Sequence, residues 1–551
     1  MKGAKIFILA LILINIETIL GGPCGTDKLK ISPKPLDLKV NKAIPITKTT
    51  ADGYTPIKIG YDFTTLQRPS SMTTSTYSLV KSLLQQTRVE FSKFVQVQHT
   101  NFDLSGSADD IMELCELDTL GAGYADFLVN NDVIIFPQFD SDLGSNVLAA
   151  AAPCIVTNSN RPYGGVLYIN TNLNFNKGNT NQYLKNILLH EITHILVFHP
   201  YFFTALKLNQ TEGSNSYIIS PKAIAKAREH FDCSSITRIP LENQGGTGSV
   251  GSHWESRYML GDYMISTDYP DQAISDITLG LFEDSGFYKV NYYSGGLFKF
   301  GKGKGCEFFN KDCIENEKAT FEEFCDTANA AMCSSSRTLK SSCYLTTYTS
   351  SIPTAYQYFS DPRKGGFPAA DYCPVPYQAH SSSTYFSNHC QIGSSSLSSE
   401  YNEKIGFDSF CFMSSILPSS STTSTSQIPI CYEVRCDADN NQFTVTIGSS
   451  EIACPTEGGT VNAPSGFTGS IVCPKYSDIC LSDGSVCNEM FSCFTNLATH
   501  DNYNYQVTYG DYEGEALEDD DNISPVRTSF SYNIKDNFAL FMAICLLIYL
   551  N

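Results

Sequence analysis

Hydrophobic and polar positions change period several times along the first 200 residues of the chain. Pro56–Phe63 (PIKIGYDF) alternates with period two and predicts an opening strand, whereas Tyr77–Val97 carries apolar residues at helical spacing. Val129–Phe139 (VNNDVIIFPQF) and Gly164–Ile169 (GGVLYI) predict further strands. Asn181–Phe198 (NQYLKNILLHEITHILVF) has neither Gly nor Pro, and Asn179 and Thr180 stand ready to cap its start, so a helix is predicted there. From Ile187 onward this helix is apolar on nearly every side, the mark of a buried element. Strands and helices are therefore mixed within one lobe. Farther along, Ser419–Ser426 (SSSTTSTS) is too small and polar to build a core and predicts a linker and a domain boundary. Beyond it Phe443–Ile447 (FTVTI) reads as a strand of a small β module.

Composition changes this picture in three ways. At 551 residues the chain exceeds one ordinary core of about 100–200 residues. A net charge of −20 argues against nucleic acid as a partner. The chain has 20 cysteines, crowded toward the C-terminal half, with no CxxC pair to mark a zinc ribbon. A basic head (Lys2, Lys5) followed by the apolar run Ile6–Ile14 and Gly21-Gly22 predicts an export signal, so the cysteines are expected in disulfides whose pairing spacing alone does not give. At the other end, Phe538–Leu550 is apolar but shorter than the roughly 20 residues of a membrane-spanning helix. With the polar residues before it, this tail fits a lipid-anchor signal of the GPI type. The acidic run Asp511–Asp521 upstream would be a solvated stalk. Asn209 and Asn522 each open a glycan acceptor triplet.

The chemistry centres on the buried helix. Three polar side chains, His190, Glu191 and His194, interrupt an apolar element where an unpaired polar group costs about 1–3 kcal/mol. Residues four apart share one helix face, so His190 and His194 can present imidazoles to one cation with Glu191 beside it. That is the HExxH arrangement, in which zinc is held by the histidines and the glutamate is general base. A catalytic zinc takes three protein ligands and keeps one position open. His199 sits about half a turn off the His190 face and precedes Pro200, which turns it away from helical geometry. His253 is the better third ligand, lying in Gly245–Glu255 (GGTGSVGSHWE), a glycine-rich approach that ends beside the chain's single Trp254. Glu255 could support that ligand from behind or pair with Arg257.

In these stretches the sequence resembles the leishmanolysin family, surface zinc metalloproteases of the metzincin type. The likeness rests on His190-Glu191-Ile192-Thr193-His194 with Phe198, and on Gly251-Ser252-His253-Trp254-Glu255 after an insertion. It extends to Met264 and to Ile277–Tyr292 followed by Gly301–Cys306. The resemblance implies a protease acting on protein or peptide substrates, one catalytic Zn2+, and Met264 in a turn beneath the metal. The family's glycine three residues after the second histidine is replaced by Val197, so the helix must end differently, with His199-Pro200 as the place to turn. The family's latency device, a pro-region cysteine, raises Cys24 as a free thiol able to cap zinc.

The expected fold is α+β, a metzincin-like catalytic lobe with a buried HExxH helix followed by a disulfide-rich, mostly β region. The expected organisation runs from a signal peptide (1–22) through a lead-in or short pro-segment (23–54) to an N-terminal catalytic lobe (55–199). An insertion between metal ligands (200–252) and a Met-turn and Cys-rich lobe (253–418) come next. A linker (419–430), a β module (431–495), an acidic stalk (496–528) and an anchor signal (529–551) complete it. The expected activity is that of a secreted or cell-surface, membrane-anchored endopeptidase. The alternative is an inactive surface binding or adhesion protein that kept the fold.

Overall fold

The computed structural model describes residues 29, 31–36, 39–40, 53–100, 102–103, 107–121, 131–144, 147–172, 180–244, 248–267, 269, 272–292, 298–378, 388–392, 395, 397–422, 426–481 and 484–486. The segments read as signal, stalk and anchor lie outside these residues, as do Cys24, Cys487, Cys493, Cys545, Asn522, His380 and His500. No helix among the described residues is long and apolar enough to cross a membrane.

A five-stranded sheet organises the N-terminal part. Its strands are β1 (Lys34–Pro35), β2 (Ile59–Tyr61), β3 (Val133–Asp140), β4 (Ala149–Val156) and β5 (Pro162–Asn170), in the order β1-β4-β5-β3-β2. Only the β4–β5 pairing is antiparallel. The predicted strand over Pro56–Phe63 is in fact two. Tyr54–Pro56 pairs with Val95–Gln98, then the chain turns a corner and Ile59–Tyr61 joins β3. Its alternation is real, but the chain changes sheets partway, with Lys58 N donating to the Asp132 carboxylate at the corner.

Helix α1 (Thr74–Phe94) is capped by Thr73, whose hydroxyl accepts from Thr76 N, and buries Val80, Leu83, Leu84, Phe91 and Phe94. It stops where Val95 begins a strand, three residues short of the sequence expectation. Helix α2 (Thr180–Leu196) lies across β4 and β5. Small residues allow this close seat. β4 opens with four alanines, and a Cβ on Gly165 of β5 would stand 2.5 Å from Ile195 Cγ2, so only glycine fits beneath the helix. The same apolar core takes in α3 (Pro221–Phe231) and α4 (Asp276–Asp284), which cross so closely that a Cβ on Gly280 would meet the Ala223 backbone at 2.8 Å. The opposite sheet face packs Ile134, Phe136 and Val166 against Ile111 and the Cys115–Cys154 disulfide. Covered on both faces, the strands need not alternate, and all eight residues of β4 are buried.

The C-terminal part is mostly β. Six strands form one antiparallel sheet: β6 (Ser409–Ser414), β7 (Ile428–Asp437), β8 (Gln442–Ile447), β9 (Ser450–Cys454), β10 (Gly459–Asn462) and β11 (Ser470–Cys473). Their order is β9-β8-β7-β6-β11-β10. This overturns the domain boundary expected at 419–430. β6, before the Ser/Thr stretch, pairs along six residues with β7 after it, so the stretch connects neighbouring strands of one sheet. Cys411 and Cys431 face each other across that pairing and are bonded to Cys333 and Cys390.

Among the described residues eight disulfides pair sixteen cysteines, completed by Cys233–Cys306, Cys313–Cys373, Cys325–Cys343, Cys436–Cys480 and Cys454–Cys473. Most close loops of tens of residues, a length at which each crosslink restricts the unfolded chain by about 3–4 kcal/mol.

Candidate active site

Three imidazoles meet at one point. His190 and His194 project from successive turns of α2, and His253 arrives from the glycine-rich segment, where Gly248 and Gly251 hold positive φ values of 106° and 78°. His190 Nε2 lies 3.0 Å from His194 Nε2 and 3.1 Å from His253 Nε2. The other ring nitrogen of each is fixed by a backbone carbonyl. His190 Nδ1 donates to Tyr263 O at 2.6 Å, His194 Nδ1 to Phe198 O at 2.6 Å, and His253 Nδ1 to Ser249 O at 3.1 Å. A carbonyl only accepts, so each Nδ1 carries the proton and each Nε2 a lone pair.

Burial keeps these rings neutral. It lowers the His190 pKa to about 4 and holds His194 and His253 well below the usual histidine range, the neighbouring imidazoles adding to the effect. Three lone pairs converging in a buried space repel unless a cation lies between them. The 3.0–3.1 Å spacing is near the edge of about 3.3 Å that bonds of about 2.0–2.1 Å to a tetrahedral zinc would give. The donor set fits a zinc ion, and it is the one cluster of three His, Cys, Asp or Glu side chains close enough to share a metal among the described residues. Glu191 is fully buried on the same helix.

The leishmanolysin family model, of peptidase family M8, matches residues 73–486, a span that includes both histidine segments. This chain belongs to the leishmanolysin family. It is 30% identical over 380 residues to a leishmanolysin homolog of Crithidia fasciculata, covering 65% of this chain and 56% of that one. It is 28% identical over 357 residues to leishmanolysin of Leishmania tropica, covering 61% and 52%. A leishmanolysin-like peptidase of Drosophila pseudoobscura pseudoobscura is 27% identical over 300 residues, covering 48% and 44%. The chain thus spans about half the length of these leishmanolysin relatives.

The helix ends at Leu196 without a glycine at position 197, and the next helix starts at Pro200. Val197 stays out of the left-handed region, and both Val197 N and Phe198 N bond to Thr193 O. The Phe198 carbonyl thereby turns back onto His194, and His199 becomes the cap of Pro200–Ala205, its Nδ1 accepting from Tyr201 N. His199 is not part of the histidine cluster.

Glu255 does not support His253. Its Oε1 accepts from Arg257 N at the start of the short helix Ser256–Met259, and it bonds to none of the three imidazoles. The positions it would occupy are filled by backbone carbonyls. Arg257 instead donates to Lys311 O and lies over the Phe324 ring. Asn209 opens a partly exposed strand of the hairpin Asn209–Glu212 with Asn215–Ile218.

Sequence reasoning missed the group that ties the two histidine segments together. Asp262 is fully buried. Its Oδ1 accepts from Met264 N at 2.7 Å, and its Oδ2 from Thr278 Oγ1 at 2.8 Å and Ser275 N at 3.2 Å. Thr278 Oγ1 in turn accepts from Trp254 Nε1, next to His253, and Met264 O accepts from Trp254 N. Tyr263, between Asp262 and Met264, gives its carbonyl to His190 and its hydroxyl to a bond with Thr193. Asp262→Asn puts an amide N–H against donors. Loss of about 1–3 kcal/mol is expected by chemical denaturation of the zinc-loaded protein. A fall in zinc affinity of about ten-fold in a chelator competition should accompany it, the lower end of outer-partner effects. Wild-type affinity in this variant would show that Asp262 serves the fold alone.

Proposed function

We propose that this chain is a zinc-dependent endopeptidase of metzincin type, with His190, His194 and His253 holding one Zn2+ and Glu191 as general base. The convergence of three neutral Nε2 atoms, each on a ring whose Nδ1 donates to a backbone carbonyl, carries this reading. When bound there, zinc supplies Lewis acidity, polarising a peptide carbonyl and acidifying water. Glu191 takes the proton from the attacking water and delivers it to the departing amine, so the peptide bond is exchanged for a carboxylate and an amine. Met264 lies fully buried in the turn beside Tyr263, and its part is to shape the floor under the histidines. The eight disulfides support passage through an oxidising compartment, in keeping with export and display at the cell surface.

The purified chain should contain one zinc per molecule by mass spectrometry and cleave a denatured protein at internal bonds. A chelator should abolish cleavage and added zinc restore it. Zinc-loaded protein that cleaves nothing would favour the adhesion reading.

A further inference from the structure

Tyr263 holds the histidine-bearing helix at two points. Its carbonyl accepts from His190 Nδ1 at 2.6 Å, and its hydroxyl lies 2.8 Å from Thr193 Oγ1, three residues farther along α2. Both residues are fully buried, so neither hydroxyl meets solvent. A hydroxyl carries one proton. Thr193 gives its own to Leu189 O at 2.9 Å, so in the pair Tyr263 donates and Thr193 accepts.

Thr193 is also where α2 closes. Its carbonyl accepts from both Val197 N and Phe198 N at 2.9 Å, and that turn aims Phe198 O at His194 Nδ1. Thr193 therefore joins the carbonyls that orient the two helix histidines, Phe198 O through its own carbonyl and Tyr263 O through its hydroxyl. The path reaches the third histidine as well, because Met264 O accepts from Trp254 N beside His253. At about 100° per residue, Thr193 stands about 60° round the helix from His190 and about 160° from Glu191, so the contact bears on the imidazoles and lies away from the carboxylate. Without it, the one hydrogen bond left between Tyr263 and α2 among the described residues would be to the imidazole that the carbonyl has to orient.

We infer that Tyr263 and Thr193 are positioning residues of the three-histidine site: their hydroxyl pair sets the place of the Tyr263 carbonyl along α2, and with it the stand of His190 Nε2 toward His194 and His253. This role presupposes the zinc reading of that site. The same construction elsewhere in the lobe supplies a control. Tyr61 OH lies 2.7 Å from Thr87 Oγ1, and Thr87 gives its proton to Leu84 O, again fully buried but on α1, which carries none of the three histidines.

The full chain, loaded with zinc and separately with cobalt(II), tests the role. Tyr263→Phe and Thr193→Val should each weaken zinc in a chelator competition by about ten-fold, the lower end of what losing an outer partner causes, and should alter the visible absorption of the cobalt form. On a peptide substrate kcat should fall by a similar factor with KM nearly unchanged, the pattern of lost transition-state alignment. Thr193→Ser keeps the hydroxyl and should recover most of what Thr193→Val loses, and the double variant Tyr263→Phe/Thr193→Val should lose no more than Thr193→Val alone. Tyr61→Phe removes the same kind of bond and should leave zinc affinity and cobalt spectrum as in wild type, whatever it does to the melting temperature. Tyr263→Phe keeps the ring and leaves Thr193 its bond to Leu189 O, so it carries the test if Thr193→Val fails to fold. Wild-type zinc affinity and cobalt spectrum in Tyr263→Phe would overturn the role, as would an equal loss in Tyr61→Phe. A wild-type chain that takes up no metal would sink the zinc reading and this role together, whereas wild type with one zinc and a Tyr263→Phe variant indistinguishable from it would sink this role alone. Affinity and spectrum are read without substrate, so they decide the role even where wild type cleaves nothing.

Discussion

Glu191→Gln is expected to lower kcat/KM on a peptide substrate by about 10³-fold, inside the range of about 10²–10⁴ typical of a positioned general base. The substitution keeps shape and removes proton affinity. Glu191 is fully buried on α2 beside His190, and it is not needed as a metal donor because three imidazoles already converge. The variant should therefore retain one zinc per chain and unfold at or above the wild-type temperature, since a buried carboxylate is costly to desolvate. Steady-state kinetics beside metal analysis checks this. Activity within ten-fold of wild type would assign the proton transfer to another group, and loss of zinc would make Glu191 a part of the metal's support.

The distance between what the sequence announced and what the fold reveals follows from how local each signal is. His190 and His194 are legible because a spacing of four is a property of one helix, and α2 runs as that spacing requires. His253 was reachable through its glycine-rich approach, although contact across 63 residues is made only by tertiary structure. The carbonyls of Tyr263, Phe198 and Ser249 that set the imidazole tautomers were invisible, because every residue has a carbonyl and none advertises where it points. Glu255 drew attention as an acid beside a ligand, yet its backbone neighbour Arg257 claims it, while Asp262, nine positions from His253 in sequence, ties Trp254 to the turn. The Ser419–Ser426 stretch misled for a similar reason. Composition reports that a segment cannot pack, and says nothing of whether the strands on either side pair with each other, as β6 and β7 do.

His253→Ala should separate the metal from the fold. Removing this imidazole leaves a two-ligand site on one helix, and zinc affinity should fall by more than the about 10–100-fold that loss of an outer partner causes. The consequence is visible in stability. A ligand present at about 1,000 times its dissociation constant stabilises by about 4 kcal/mol, so wild-type protein should melt several degrees higher with zinc than with chelator. The variant should lose most of that increment and all detectable peptidase activity. Its own zinc-free melting temperature should fall little: the alanine relieves a crowding of lone pairs at 3.0–3.1 Å, and Trp254 next to it keeps its bonds to Thr278 and Met264. Scanning calorimetry with and without zinc reads both quantities in one series. A variant that keeps the wild-type increment would place the metal elsewhere and remove the third ligand from the site. A zinc-free variant that no longer folds would instead show that the His253 ring is needed to hold its own segment, apart from any metal.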